Sequence, residues 1–294
     1  MQPSEESIQA FRRDGFVVVE GLLDDDELER YGNAVDVGVA ARTREDERTL
    51  EEKTRYEQSF QQCINLWEDF PDVRPLTFHP TVSESAAMLL GVATLRVWHD
   101  QALYKEARGR VTDPHQDQPY WPLEQANTIT GWIPFDGSRR ANGCMGYLAG
   151  SHRIGLRKFA DIFRGTGYNL DDVPELRGRE TTWVEVPAGA AAFHHGLTVH
   201  RALPNDSDRT RRVHTVIYFA DGCTRVTRTH PHPSVDRAGI APGAVVASDV
   251  TPIVWPRGER SLPQPPPLPD PRLPGWPGWP PVGRGERAGR RAVE

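Results

Sequence analysis

Val186-Pro187-Ala188-Gly189-Ala190-Ala191-Ala192-Phe193-His194-His195-Gly196-Leu197-Thr198-Val199-His200 is a Pro-Ala-Gly turn leading into a strand of small residues. Short strand patterns lie on both sides of it: Leu95 to Lys105, Thr128 to Phe135, Met145 to Leu148, Thr182 to Val186, Ala190 to His194 and Val213 to Phe219. Each is bounded by Gly, Pro, Asn or Asp, the residues that close turns. Many short strands without regular intervening helices predict an antiparallel jelly roll or barrel, mainly β with flanking helices.

The flanks predict those helices. Ser4 to Arg13 places Ile8 and Phe11 at helical spacing, with Glu5 and Glu6 at the positive end of the helix dipole. Asp14-Gly15 breaks it, Phe16-Val17-Val18-Val19 reads as a buried strand, and Asp24-Asp25-Asp26 caps a second helix running towards Ala41. The charged stretch Arg42 to Arg55 reads as a solvated loop or helix face, Phe60 to Trp67 as strand-like, and Thr81 to Leu90 as helical.

A chain of 294 residues with 37% hydrophobic content can bury one sizeable core. The expected division is one domain over 1–250 and a tail over 251–294. Thr251 to Pro281 is too rich in proline for a sheet ladder or helix interior, as in Pro263-Gln264-Pro265-Pro266-Pro267, and is expected to be extended or disordered. Cys63, Cys144 and Cys223 are odd in number and far apart, which suggests buried thiols rather than disulfides or a zinc site. A formal charge of −6 argues against nucleic-acid binding. The opening residues lack a secretory pattern and no apolar run suits a bilayer, so the expectation is a soluble cytoplasmic protein without membrane partners. The sequence leaves oligomeric state open.

Chemistry concentrates in Asp113-Pro114-His115-Gln116-Asp117, where residues two apart point to one side of an extended segment. Two imidazoles and one carboxylate on one face of an octahedral iron(II) leave three positions free for a bidentate oxo-acid and dioxygen, so a second histidine is needed. His194, His195 and His200 compete for that role, and parity alone separates only His195 from the other two. Arg211 and Arg212 then open a strand. Either could meet the distal carboxylate of a 2-oxoglutarate, and strand parity admits only one inside.

These residues resemble the phytanoyl-CoA dioxygenase-like family of iron(II)/2-oxoglutarate-dependent oxygenases, from about Phe11 to Phe219. The carriers are Phe11-Arg12-Arg13-Asp14-Gly15-Phe16-Val17-Val18, His115-Gln116-Asp117 with Tyr120-Trp121, Asn142-Gly143-Cys144-Met145, Gly150-Ser151-His152-Arg153, Pro187-Ala188-Gly189, His200, Asn205 and Arg211. The resemblance implies a double-stranded β-helix, with iron(II) on His115, Asp117 and His200 and the co-substrate 2-oxoglutarate on Arg211. It also places Gln101, Lys105 and Trp121 in the 2-oxoglutarate pocket; alternation puts Gln101, Leu103 and Lys105 on one face. Ala202 departs from the Ser or Thr that many relatives carry, which removes a secondary carboxylate contact. An intact Asp117 favours hydroxylation, or desaturation or ring formation, over halogenation.

The implied activity consumes dioxygen and 2-oxoglutarate, releases succinate and CO2, and oxidises a small-molecule substrate. Tyr104, Tyr120 and the Phe60 to Trp67 segment are candidates for the substrate side. The Asn142-Gly143-Cys144 and Gly150-Ser151-His152-Arg153 motifs read as scaffold, Arg139 and Arg140 as a solvated hairpin tip, and His230-Pro231-His232 as lacking a third ligand. Two alternatives remain: a metal-dependent cupin-like enzyme that does not use 2-oxoglutarate, and a non-catalytic sensor or scaffold acting through the proline-rich tail.

Overall fold

Ser4 opens the first helix because its hydroxyl accepts the Ser7 N–H at 3.1 Å, and Gly15 closes it in the left-handed region at φ 84°. The computed structural model describes residues 2–157, 167–227, 231–257, 262–264 and 266. In chain order its helices are α1 (Glu5–Asp14), α2 (Asp25–Thr43), α3 (Leu66–Asp69), α4 (Arg74–Thr77), α5 (Pro80–Leu90) and α6 (Pro233–Asp236). Asp24 and Glu27 form a reciprocal capping box at the start of α2.

The strands are β1 (Phe16–Val19), β2 (Gln61–Ile64), β3 (Leu95–Tyr104), β4 (Thr112–His115), β5 (Thr128–Pro134), β6 (Met145–Tyr147), β7 (Thr182–Val184), β8 (Ala191–His195), β9 (His200–Ala202), β10 (Val213–Ala220) and β11 (Ile253–Trp255). They form a seven-stranded sheet in the order β1-β8-β5-β10-β3-β11, with β2 also on β3, and a four-stranded sheet β4-β9-β6-β7. Every pairing is antiparallel. This is the double-stranded β-helix expected from the sequence.

Alternation decides which side chain goes where. One face of the larger sheet packs Val97, Ala102, Ile129, Ile133, Phe193 and Val216 into a core with Ile8 and Phe11 of α1, Val35 of α2, and Val82 and Leu89 of α5. The other face sends His99, Gln101, Thr130, Trp132, His194 and Thr215 into a cavity of about 310 Å³, which the smaller sheet closes with Thr112, His115, Met145, His200 and Ala202. Tyr104 departs from its expected place on the substrate side. It takes the core face, and its hydroxyl donates to Asp36 at 2.5 Å. In the Phe60 to Trp67 segment, Phe60, Gln62 and Ile64 line the cavity, whereas Trp67 lies in α3 and is wholly buried in the core.

The sheet extends past residue 250, because Ile253–Trp255 pairs with Leu95 and Arg96 on β3 and Val254 is buried. The rest of the proline-rich stretch lies almost wholly outside the described residues, as does His230. All three cysteines are buried and free. Among the described residues, no helix is long and apolar enough to cross a membrane.

The scaffold motifs have physical reasons. Asn205 donates its amide to the carbonyls of Lys105, Glu106 and Arg209, and its Oδ1 accepts from the Ser207 N–H and hydroxyl. That knot fixes the loop from which Arg211 emerges. Gly143, at φ 87°, passes so close to Lys105 and the Leu203 carbonyl that a Cβ would lie 2.8 and 2.9 Å from them. Gly143→Ala is therefore expected to cost roughly 1–3 kcal/mol in urea unfolding. A variant as stable as the parent would show that this backbone relaxes freely.

Candidate active site

His115 ends β4 and faces His200 on β9 as a direct cross-strand partner, which sets the two imidazoles side by side with ring centroids 4.2 Å apart. Asp117, where the backbone turns from extended into a single 3-10 turn, shares their side of the chain. Gln116 points the other way: its amide donates to Leu197 and Gly155 carbonyls at 2.7 and 3.0 Å, and its oxygen accepts the Arg157 N–H. The residue between the two candidate ligands is thus a buried clamp that fixes their orientation.

Among the described residues, His115, Asp117 and His200 are the single group of three metal-ligating side chains, with ligand atoms within 4.8 Å of one another. Each histidine gives its Nδ1 proton to a backbone carbonyl, His115 to Asp113 at 2.8 Å and His200 to Thr198 at 2.9 Å. The Nε2 lone pairs are thereby turned to Asp117 Oδ1, at 3.7 and 3.5 Å. Burial keeps both imidazoles neutral; it lowers His115, and with the neighbouring His115 it brings His200 down to about 3. Burial opposes the charge on Asp117, but His200 and the His194 hydrogen bond outweigh it and hold the carboxyl well below its usual range. Two neutral nitrogens and one carboxylate oxygen fit a divalent iron.

The three candidate histidines of the sequence take three different positions. His194 lies on the opposite sheet, where its Nε2 is 3.1 Å from Asp117 Oδ2. His195 points away from the cavity towards His152, with ring centroids 5.7 Å apart.

Arg211 lines the same cavity and Arg212 does not, since Arg212 turns outward to Asp36 and Asp136. Arg211 is 3% exposed, and its guanidinium donates from Nη1 to the Gly143 carbonyl and lies 5.0 Å over the Trp132 ring. Its Nε has no partner and no carboxylate pairs with it among the described residues. Burial draws it down to about 10, still charged at neutral pH. A buried cation opening on a cavity without its own anion is a receptor for an anionic group.

The remaining pocket residues divide. Gln101 lines the cavity and its Oε1 accepts from Gln62 at 2.5 Å; Trp121 lines it while packing in a cluster with Trp98 and Phe219. Lys105 is not among the lining residues. β3 ends at Tyr104, Lys105 exchanges backbone hydrogen bonds with Arg211, and its Nζ donates to the Arg110 carbonyl at 2.5 Å. The alternation that carries Gln101 and Leu103 inward does not extend to it.

Sequence reasoning missed Thr130, His99 and Thr215. The signal was present as single polar residues at alternate positions of otherwise apolar strands. Away from the triad, burial holds His99 and His195 down to about 4 and His214 to about 3, and it pushes the Asp100 carboxyl beside His214 up to about 7. These histidines take up protons on unfolding, so their stability is complete above about 6.5 and is lost as pH falls toward their folded values. Asp100 acts oppositely, removing stability as pH rises from about 3.9 to 7, but one group opposes these three and, without metal, His115 and His200 as well. Unfolding free energy of the metal-free protein is expected to fall by roughly 2–4 kcal/mol per pH unit between about 6 and 4.5 in urea titrations. A flat profile would contradict their neutral burial.

A double-stranded β-helix whose two sheets converge on two neutral imidazoles and a carboxylate has the fold and donor set of the mononuclear non-haem iron oxygenases. The family model Phytanoyl-CoA dioxygenase (PhyH) matches residues 11–213, and the chain belongs to that family. The phytanoyl-CoA dioxygenase domain-containing protein 1 of Danio rerio is 24% identical over 291 residues, covering 79% of this chain and 98% of its own. Among solved structures, the non-heme alpha ketoglutarate dependent carbocyclase SnoK from nogalamycin biosynthesis is similar at 28% identity and TM-score 0.71, over 85% of this chain and 96% of its own. The epimerase SnoN, solved with Fe3+, alpha ketoglutarate and nogalamycin RO, shares the fold at 23% identity and TM-score 0.71, over 85% of this chain and 98% of its own.

Proposed function

We propose that this protein is an iron(II)- and 2-oxoglutarate-dependent oxygenase that hydroxylates an unactivated C–H bond of a small-molecule metabolite. The observation that carries the reading is Arg211: a buried guanidinium without an anionic partner among the described residues, on the wall of the cavity that holds the triad. His115, Asp117 and His200 would hold iron(II), and Arg211 would clamp the distal carboxylate of 2-oxoglutarate with Trp132 beneath it. Iron with dioxygen and 2-oxoglutarate supplies the oxidising power, the co-substrate leaving as succinate and CO2.

The chain's own residues select and orient the substrate. Tyr56, Phe60, Ile64 and Leu103 give the cavity an apolar wall, and Arg211 is the one Lys or Arg lining it among the described residues. With Arg211 engaged by the co-substrate, that wall suits an uncharged molecule rather than a phosphate-bearing CoA thioester. The test is succinate formation from 2-oxoglutarate by iron-loaded protein, with candidate substrates followed by mass. Succinate release that persists after iron removal would sink the reading.

The likeness to the carbocyclase SnoK favours a second outcome at the same site, hydrogen removal followed by ring closure instead of oxygen insertion. Product mass separates the two: hydroxylation adds one oxygen, and ring closure removes two hydrogens.

A further inference from the structure

We propose that His194 is a positioning residue for the metal centre: together with Thr130 it captures Oδ2 of Asp117, so that Asp117 ligates through Oδ1 alone. The proposal rests on the metal-site reading above and adds a residue outside the ligand set.

The three histidines around Asp117, His115, His194 and His200, sort into two tautomers. His115 and His200 spend their Nδ1 protons on backbone carbonyls and turn Nε2 lone pairs to Asp117 Oδ1. His194 is arranged the other way round. Its Nε2 lies 3.1 Å from Asp117 Oδ2, and its Nδ1 lies 3.4 Å from the Tyr147 hydroxyl. A carboxylate oxygen only accepts, so the His194 proton sits on Nε2 and Nδ1 accepts from Tyr147. Tyr147 is itself held, wholly buried, with its ring stacked on Phe16 at 4.5 Å and 13°.

Thr130 completes the capture. It is the cross-strand partner of His194 on β5, and its hydroxyl donates to the same Oδ2 at 3.1 Å. Two donors on Oδ2 lower its basicity and stop the carboxylate from rotating to offer both oxygens to one ion. Asp117 then occupies one coordination position rather than two, which preserves positions for a bidentate keto acid and dioxygen. His194 stands outside the compact ligand group although its ring centroid is only 4.5 Å from that of His200.

The test uses the full chain and cobalt(II), whose visible spectrum reports coordination, with melting temperature as the control for folding. His194→Phe removes both nitrogens and should weaken cobalt(II) about 10- to 100-fold, the usual effect of losing a partner of a metal ligand, and alter the spectrum. His194→Gln restores an N–H donor and should recover affinity to within about 3-fold, with the parent spectrum. A folded His194→Phe protein with parental affinity and spectrum overturns the proposal. So does a His194→Gln protein as impaired as His194→Phe, since the imidazole would then be a ligand. If His194→Phe does not fold, Thr130→Val takes its place: a loss of about 3- to 10-fold supports the proposal and no loss overturns it. His115→Ala separates this outcome from the underlying reading, because undiminished cobalt(II) binding there would overturn the metal site itself.

Discussion

Arg211→Met is expected to raise the dissociation constant for 2-oxoglutarate by about 100- to 10,000-fold, because two charge-assisted hydrogen bonds are lost at roughly 1.5–3 kcal/mol each. Methionine keeps an apolar body on Trp132 and relieves the desolvation of a buried cation, so the fold should survive. Iron(II) affinity should be unchanged, since Arg211 is not among the ligand atoms grouped around Asp117. Arg211→Lys should recover only part of the loss, a point charge lacking the planar fork. Equal 2-oxoglutarate affinity in Arg211→Met would remove the observation on which the functional reading stands. Binding is read by titration under anaerobic conditions, which separates it from turnover.

The second large effect is at the triad. His115→Ala is expected to weaken iron(II) by roughly 1,000-fold, as one of three ligands sharing a binding free energy on the order of 10 kcal/mol, and to reduce succinate formation to background. Burial makes the loss hard to repair from within. His194 is already engaged by Asp117 and Tyr147, and His200 by the Thr198 carbonyl. Inductively coupled plasma metal content after dialysis, read beside succinate release, checks both halves; retained iron with retained turnover would contradict the assignment of His115.

How legible the site was depended on whether the information was local. His115 and Asp117 were visible from spacing because residues two apart in a short extended segment share a side, and that is a property of the segment alone. Arg211 and Arg212 were separable in principle for the same reason, and one lines the cavity while the other meets Asp36 and Asp136. His200 was not legible from its own surroundings. What distinguishes it from His194 is the register that pairs it with His115 across β4 and β9, and register is a contact between segments 85 residues apart. The resemblance pointed to it, and Asn205, one of the residues that carry that resemblance, is the knot that seats Arg211.

Most of the longer strands were read within one or two residues. β4 and β9, which carry His115 and His200, were not read among the strands, because runs of three or four residues hold too little pattern. β11 was hidden by the prolines around it, and it pairs only at the sheet edge, where a missing N–H is tolerated. Lys105 shows the opposite failure, an alternation extrapolated one residue beyond the end of its strand. The Asp117 partners Thr130 and His194 come from the facing sheet, a relation that no local pattern encodes.

On the proposed reading, one cavity binds iron(II) through His115, Asp117 and His200 and 2-oxoglutarate through Arg211. Anaerobic isothermal titration of iron(II)-loaded protein with 2-oxoglutarate tests it most directly. Saturable binding is expected at one site per chain, lost when iron is removed and strongly weakened in Arg211→Met. Folded, iron-loaded protein that takes up no 2-oxoglutarate, or binds it equally well without Arg211, would contradict it.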